Sequence, residues 1–323
     1  MKKIIVTGAC GFIGSHLVEY LYKKNYDIIA FDRYNPNNDI GWLKNSKIRD
    51  KIDIRLGDIR DFDSVSKNFR DAKICLHLAA LIGIPYSYLS PSAYIKTNIE
   101  GTYNVLESCK ELKYKQIIVT STSEIYGNPK YTPIDEKHAQ LGQSPYSASK
   151  IGADHLSLSY FYSYKLPIKI IRPFNTFGPR QSTRAIIPTI ITQMLKNKKI
   201  LELGNIEIKR DFTYVKDLCE AYFEILISKN NFGKIINVGS NKNYSVKDII
   251  NKLSVINNKE YKIKLDKSRV RPKKSEIYNL LCDNNEIIKS TKWQPKVNFD
   301  KGLIKTFNWF KNNEHLYEDK YHV

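Results

Sequence analysis

The chain has 323 residues, of which 42% are hydrophobic, and carries a formal net charge of +19. No apolar run approaches the roughly 20 residues that a membrane span needs, and the five cysteines are scattered singly, without metal-type or disulfide-type spacing. The lysines are spread along the chain, which favours solvated surface over a nucleic-acid interface, although a positive field helps to collect an anionic small molecule. We therefore expect a cytoplasmic, globular protein without a membrane segment, nucleic-acid partner or metal site.

Short β-branched runs alternate with helical stretches through the first half of the chain. The predicted strands are Lys3–Thr7, Ile28–Asp32, Ile52–Leu56, Ile74–Leu78, Gln116–Thr120 and Ile168–Arg172. The predicted helices between them are Gly11–Lys23, Phe62–Phe69, Ala93–Leu112 and Tyr146–Tyr164. This alternation predicts an α/β fold with a doubly wound parallel sheet, in which ligands bind at the carboxyl ends of the strands.

The pattern loosens in the second half of the chain. A helix at Lys216–Ile227 and a strand at Lys234–Val238 are expected to return to the main sheet. The prediction is a Rossmann-type domain of residues 1–172, joined by 212–240, and a smaller C-terminal domain of residues 173–211 and 241–323.

A glycine-rich segment, Thr7-Gly8-Ala9-Cys10-Gly11-Phe12-Ile13-Gly14, follows the first strand and opens the first helix. The first glycine permits a tight turn, the second lets the backbone approach a pyrophosphate, and the third lets helix and strand pack closely. The helix start, which includes Phe12 and Ile13, supplies amide donors and the positive end of the helix dipole. This spacing predicts a dinucleotide site.

An acid, Asp32, ends the next predicted strand, about 20 residues further on. A carboxylate there accepts hydrogen bonds from a ribose 2′-hydroxyl and repels a 2′-phosphate, so NAD is favoured over NADP. Its neighbour Arg33 weakens this preference, because an arginine can pair with a 2′-phosphate.

Tyr146 and Lys150 stand four residues apart at the start of a predicted helix, which places them on one face. A phenol with a pKa of about 10 is a poor base at neutral pH, but a nearby ammonium favours the phenolate. Thr122, Ser123 and Glu124 follow a predicted strand directly, at the sheet edge where chemistry is expected. A carboxylate at this edge can remove a proton acidified by a neighbouring ketone.

Together these motifs resemble the extended short-chain dehydrogenase/reductase family of NAD-dependent epimerases and dehydratases. The resemblance extends through Arg172–Pro188, Arg210–Asp217 and Arg269–Pro272, and is greatest for the N-acetylglucosamine-nucleotide 4,6-dehydratases of legionaminic acid biosynthesis. It implies a homodimer formed through the helices at 93–112 and 146–164. Further cofactor contacts are implied for Asp58, Ile59, Ala79, Ala80 and Asn98. Substrate contacts are implied for Asn175, Arg184, Arg210 and Arg271.

The resemblance implies that Tyr146 removes the proton of the sugar 4-hydroxyl, assisted by Thr122 and Lys150, and that Glu124 removes the C5 proton. Many relatives carry an aspartate where Ser123 stands. Either Glu124 then passes its proton to the leaving hydroxyl, or a water held by Ser123 relays it. A 4-epimerase, a uronate decarboxylase and a non-catalytic nucleotide sensor are the alternatives. The resemblance favours a GDP-sugar over a UDP-sugar. Guanine needs a hydrogen-bond acceptor at its N1–H and amine edge, which either Glu202 or Glu207 could supply.

Overall fold

The computed structural model describes residues 2–317. Its strands are β1 (Lys3–Thr7), β2 (Asp27–Arg33), β3 (Asp53–Gly57), β4 (Ile74–His77), β5 (Gln116–Thr120), β6 (Ile168–Pro173), β7 (Asn175–Phe177), β8 (Ile200–Leu203), β9 (Lys209–Tyr214), β10 (Ile235–Val238), β11 (Asn243–Ser245), β12 (Lys262–Leu265) and β13 (Asn279–Leu280). Its α-helices are α1 (Phe12–Lys23), α2 (Phe62–Phe69), α3 (Ile84–Leu89), α4 (Pro91–Tyr94), α5 (Gly101–Glu111), α6 (Pro145–Tyr164), α7 (Ile186–Leu195), α8 (Val215–Ile227), α9 (Val246–Asn257), α10 (Asn285–Ser290) and α11 (Phe299–Asn312).

Seven parallel strands form the main sheet in the order β10-β6-β5-β4-β1-β2-β3. Its strands are almost continuously apolar because helices cover both faces, and two buried clusters lie on opposite sides of it. The predicted doubly wound α/β fold is confirmed. The strand order reverses between β1 and β4, where such sheets open a crevice for a ligand.

Most predicted elements are present, with ends displaced by one or two residues. The larger difference is the predicted helix at 93–112. There the chain turns helical at Pro91, continues through a wide π-type segment at Ile95–Glu100 and becomes regular in α5. A π segment shifts the face that the following residues present, and such segments are frequent at functional sites.

The second half adds a smaller body beside the carboxyl edge of the main sheet. Strands β7, β11 and β13 all pair with β9, while β8 pairs with β12. Helices α7, α9 and α11 pack with these strands around a separate apolar cluster. The expected domain boundary between residues 211 and 212 falls inside β9, whereas β10 lies beside β6 in the main sheet.

Within residues 2–317, no helix is both long and apolar enough to cross a membrane. No group of three or more His, Cys, Asp or Glu side chains in the same range is arranged to hold a metal ion.

Candidate active site

The glycine loop, residues 7–14, turns sharply at the end of β1. Gly8 has a φ of +67°, and a Cβ there would lie 2.9 Å from the backbone nitrogen of Ala79. A Cβ on Gly14 would lie 2.1 Å from the carbonyl oxygen of Gly8, so both positions exclude a side chain. At Gly11 the nearest atom would be 3.4 Å away, which leaves the backbone at the start of α1 accessible. This cradle fits the pyrophosphate of a dinucleotide.

Asp32 is fixed against the glycine loop. Its Oδ2 accepts a hydrogen bond of 2.6 Å from the Cys10 amide, and its Oδ1 accepts one of 2.7 Å from the Arg33 amide. Burial raises the pKa of this carboxyl, while the two amide donors oppose the rise. The Arg33 side chain is exposed. The acid thus lies at the expected sheet edge, next to the loop that it is predicted to assist.

The other predicted cofactor residues surround the same edge. Asp58 pairs with Arg60 at 2.5 Å, and this contact lowers the pKa of the Asp58 carboxyl. Ile59 packs on Gly101, where a Cβ would meet it at 2.7 Å. Ala79 and Ala80 follow β4, and Ala79 lies beside Gly8.

Asn98 is buried on the wide helical segment, and its carboxamide is occupied by the protein itself. It accepts from the Leu81 amide at 2.9 Å and donates to the Leu81 carbonyl at 3.0 Å and to the Ser149 hydroxyl at 2.9 Å. Asn98 therefore ties the loop after β4 to α6.

Helix α6 positions Tyr146 and Lys150. Ser144 caps the helix through a reciprocal capping box with Ser147, and Pro145 takes the first turn. Tyr146 is 7% exposed, and burial raises the pKa of its phenol well above the ordinary value, opposed by a hydrogen bond with Thr122. Lys150 donates to the Thr120 carbonyl at 2.6 Å, and burial lowers the pKa of its ammonium to about 8.

The segment after β5 brings Thr122 and Glu124 to the same place. Thr122 caps a short 3₁₀ turn at Ser123–Tyr126 by accepting from the Glu124 amide at 3.2 Å. Since Thr122 also contacts the Tyr146 phenol, the hydroxyl, the phenol and the carboxylate form one group. Ser123 is 2% exposed and lies inside this turn.

Two arginines from distant segments lie against Glu124. Its Oε2 is 3.3 Å from Nη1 of Arg271, and its Oε1 is 3.9 Å from Nε of Arg210. Nη2 of Arg210 lies 4.0 Å from Oε1 of Glu276, too far for a hydrogen bond, and this buried atom has no hydrogen-bond partner among residues 2–317. We call Glu124, Arg210, Arg271 and Glu276 the arginine–glutamate cluster.

The other two predicted substrate residues come from β7 and from the segment before α7. Asn175 begins β7 opposite Phe212 and is partly buried. Arg184 is exposed, and its Nη1 would lie 3.6 Å from a Cβ on Gly83, in the loop that holds the Tyr94 hydroxyl. The ring of Tyr94 packs edge-on against the ring of Tyr146, with the two centroids 6.2 Å apart, and Arg184 lies near Tyr94.

A buried ion pair that the sequence did not single out supports the site. Asp154 accepts from the Ser121 hydroxyl at 2.7 Å and from Nε of Arg172 at 3.0 Å, while Arg172 also donates to the Tyr126 hydroxyl. These bonds join α6, β6 and the segment after β5. The position of Asp154, four residues after Lys150, was the available signal, but its partner on β6 cannot be inferred from spacing.

This geometry agrees with comparisons of the chain with a family model, with known proteins and with solved structures. The family model described as GDP-mannose 4,6 dehydratase matches residues 5–306. A dTDP-D-glucose 4,6-dehydratase of Dictyostelium discoideum is 31% identical, covering 98% of this chain and 83% of that protein.

Two solved structures share the whole architecture. A UDP-glucuronic acid 4-epimerase from Bacillus cereus, in complex with UDP-glucuronic acid and NAD, has a TM-score of 0.87 at 32% identity and covers 98% of this chain and 100% of that one. DesIV, a dTDP-glucose 4,6-dehydratase from Streptomyces venezuelae with NAD bound, has a TM-score of 0.88 at 26% identity and covers 98% and 99%. The chain therefore belongs to the nucleotide-sugar dehydratases and epimerases of the extended short-chain dehydrogenase/reductase family.

Proposed function

We propose that this protein is an NAD-dependent nucleotide-sugar 4,6-dehydratase, a lyase that forms a 4-keto-6-deoxy sugar. One observation carries the proposal. Glu124, a carboxylate that is 9% exposed, lies in one group with Tyr146 and Thr122 at the carboxyl edge of the sheet. A second base beside the C4 base is what a dehydration needs and what a 4-epimerization does not.

The side chains have separate tasks in this reaction. Tyr146 removes the proton of the 4-hydroxyl while Thr122 hydrogen-bonds the same oxygen, and the Lys150 ammonium favours the phenolate that results. NAD, held by the glycine loop and Asp32, would supply the acceptor for the C4 hydride and the donor of that hydride to C6. The C4 ketone acidifies C5, Glu124 removes the C5 proton, and water leaves from C6. When C6 regains a hydride, C5 regains a proton that comes from solvent.

The leaving 6-hydroxyl needs a proton that a serine cannot supply unaided. Glu124, protonated from C5, can pass the proton on, or a water held by Ser123 can relay it. The burial of Ser123 supports a role that is confined to the immediate surroundings of Glu124.

The substrate is proposed to be GDP-linked N-acetylglucosamine, with the UDP-sugar as the alternative, and the product to serve legionaminic acid biosynthesis. Arg210, Arg271 and Asn175 would bind the diphosphate, which suits arginine because its planar fork matches phosphate oxygens. The unpartnered Nη2 of Arg210 supports this role. Residues 1–172 with 212–240 would bind NAD, and residues 173–211 and 241–323 the nucleotide sugar.

Mass spectrometry after incubation with the nucleotide sugar tests the proposal. A dehydratase product has lost water. An unchanged mass with inverted C4 would indicate a 4-epimerase, and loss of carbon dioxide from a uronate would indicate a decarboxylase. An unchanged sugar in every case would leave a nucleotide sensor.

We also propose a homodimer through α5 and α6. Tyr103 on α5 and Tyr162 and Tyr164 on α6 are exposed aromatic side chains, and aromatic residues are enriched in interfaces. Light scattering at micromolar concentration should show a dimer, and replacing Tyr162 with a charged residue should weaken it. A monomeric wild-type protein at that concentration would contradict the proposal.

A further inference from the structure

Glu124 has two positively charged neighbours, which is an unusual setting for a base. Nη1 of Arg271 and Nε of Arg210 lie 3.3 Å and 3.9 Å from its two oxygens. Adjacent guanidinium groups stabilise the charged form of a carboxylate and so weaken it as a proton acceptor. The two guanidinium groups therefore compete with a carbon-bound proton for the oxygens of Glu124.

Other titratable groups near Glu124 lie on α6, on α3 and in the segment before β13. Tyr146 approaches from α6 as a neutral phenol, since burial raises the pKa of that phenol. Beyond the arginines lie Glu276, at 4.0 Å from Arg210, and Tyr88, which faces Arg271. The arginine–glutamate cluster thus contains two positive and two negative side chains and is neutral as a whole.

The same two arginines are the groups proposed to bind the substrate diphosphate. Arg210 is 4% exposed, and its Nη2 has no hydrogen-bond partner among the described residues, so the guanidinium is only partly satisfied by the protein. A diphosphate adds two negative charges to a neutral cluster. Guanidinium groups that turn to phosphate oxygens form bidentate, charge-assisted bonds and can no longer neutralise a carboxylate to the same extent.

We propose that Arg210 and Arg271 are shared between Glu124 and the substrate, so that a bound nucleoside diphosphate withdraws them from Glu124 and makes this carboxylate a stronger base. The inference rests on the proposed function and deepens it. Glu124 becomes an effective acceptor only when the group that carries the sugar is in place.

The test measures proton uptake on binding. The probes are the β-methyl esters of GDP and UDP, which carry the diphosphate but neither a reactive sugar nor a phosphate that titrates near neutral pH. Isothermal titration calorimetry of the NAD-loaded protein, in buffers of different ionisation enthalpy between about pH 5 and 7, reports protons taken up per ester bound. The wild type should take up protons, and Glu124→Gln should lose this uptake while still binding the ester.

Two further variants make the outcome specific. Glu276→Gln removes the other carboxylate of the cluster and should keep the uptake. Arg271→Met leaves Glu124 in place but removes one shared arginine, so fewer protons should be taken up per ester bound. This variant tests the inference even if Glu124→Gln does not fold. Uptake that persists in Glu124→Gln, uptake that disappears in Glu276→Gln instead, or failure of both esters to bind at millimolar concentration would overturn the inference.

These results are separable from those of the dehydratase assay. If the protein removes water from the nucleotide sugar but takes up no Glu124-dependent proton, the proposed function stands and the sharing of the arginines is refuted. If it shows Glu124-dependent proton uptake but releases no water, the sharing of the arginines stands and the dehydratase assignment is refuted.

Discussion

The glycine loop and the arginine–glutamate cluster lie at the same edge of the main sheet but are built in different ways. The loop is one continuous segment, and its requirements are steric, because a Cβ at Gly8 or Gly14 would collide with backbone. The cluster joins three segments, with Arg271 and Glu124 separated by 147 positions in the chain. A site for a constant cofactor can be made from local shape, whereas a site for a reacting sugar here depends on charges placed by the whole fold.

Tyr146 and Lys150 form the proposed catalytic pair on α6. The loss of Tyr146 should have the largest effect on turnover. Tyr146→Phe should reduce turnover by about a hundredfold to ten-thousandfold, since the base for the 4-hydroxyl is lost. NAD binding should remain nearly normal because the glycine loop is unchanged. Steady-state kinetics and NAD fluorescence titration measure the two effects, with Tyr162→Phe, an exposed site on the same helix, as the control. Near-normal turnover would remove Tyr146 from the mechanism.

Glu124→Gln, in the arginine–glutamate cluster, should separate oxidation at C4 from the loss of water. Oxidation at C4 should persist, visible as nicotinamide absorbance near 340 nm, while water loss slows by about a hundredfold or more because the C5 base is absent. In the wild type, solvent deuterium should enter the product at C5 and not at C4. Glu260→Gln, at an exposed position, is the matched control. If Glu124→Gln releases water at the normal rate, the carboxylate is structural.

Two alanine substitutions in the glycine loop should distinguish its effect on the stability of the fold from its effect on NAD binding. Gly14→Ala places its Cβ on backbone and should lower the free energy of unfolding by about 1–3 kcal/mol, as overpacking does. Gly11→Ala meets nothing closer than 3.4 Å, so the protein should keep its Tm but bind NAD about tenfold to a hundredfold more weakly. Thermal unfolding and calorimetric titration measure both. Equal NAD affinity in Gly11→Ala and the wild type would show that the pyrophosphate does not pass over this residue.

The comparison also explains how much could be predicted from sequence. The parallel sheet and the glycine loop follow from local periodicity and spacing, and both were predicted, with strand ends displaced by a residue or two. The wide segment at Ile95–Glu100 was missed because propensity does not distinguish it from an ordinary helix.

Contacts between distant segments could not be predicted. Arg210 and Arg271 were expected at the substrate through the family resemblance, but nothing in their spacing indicates that both lie against Glu124. Glu276 was not considered at all, since a lone glutamate in a lysine-rich segment usually belongs to the surface. Asn98 was expected at the cofactor, and the fold shows its carboxamide bound to Leu81 and Ser149.

The smallest expected effect concerns the base of the nucleotide. Guanine offers an N1–H and an exocyclic amine that need an acceptor, and uracil has a single N–H. Two glutamates were candidates, but Glu202 pairs with Lys264 at 2.9 Å across β8 and β12, and the pairing lowers the pKa of the Glu202 carboxyl. Glu207 is exposed and precedes β9, so it is the better candidate.

Glu207→Gln should therefore lower kcat/KM for the GDP-sugar about twofold to tenfold and leave that for the UDP-sugar unchanged, as expected for one solvated hydrogen bond. Glu202→Gln, which breaks an exposed ion pair, should not change the ratio. Both donors compete in one reaction, and the products are separated by mass. A wild-type preference for the UDP-sugar would refute the proposed guanine specificity and leave the dehydratase proposal intact, because the diphosphate and the sugar are the same in both donors.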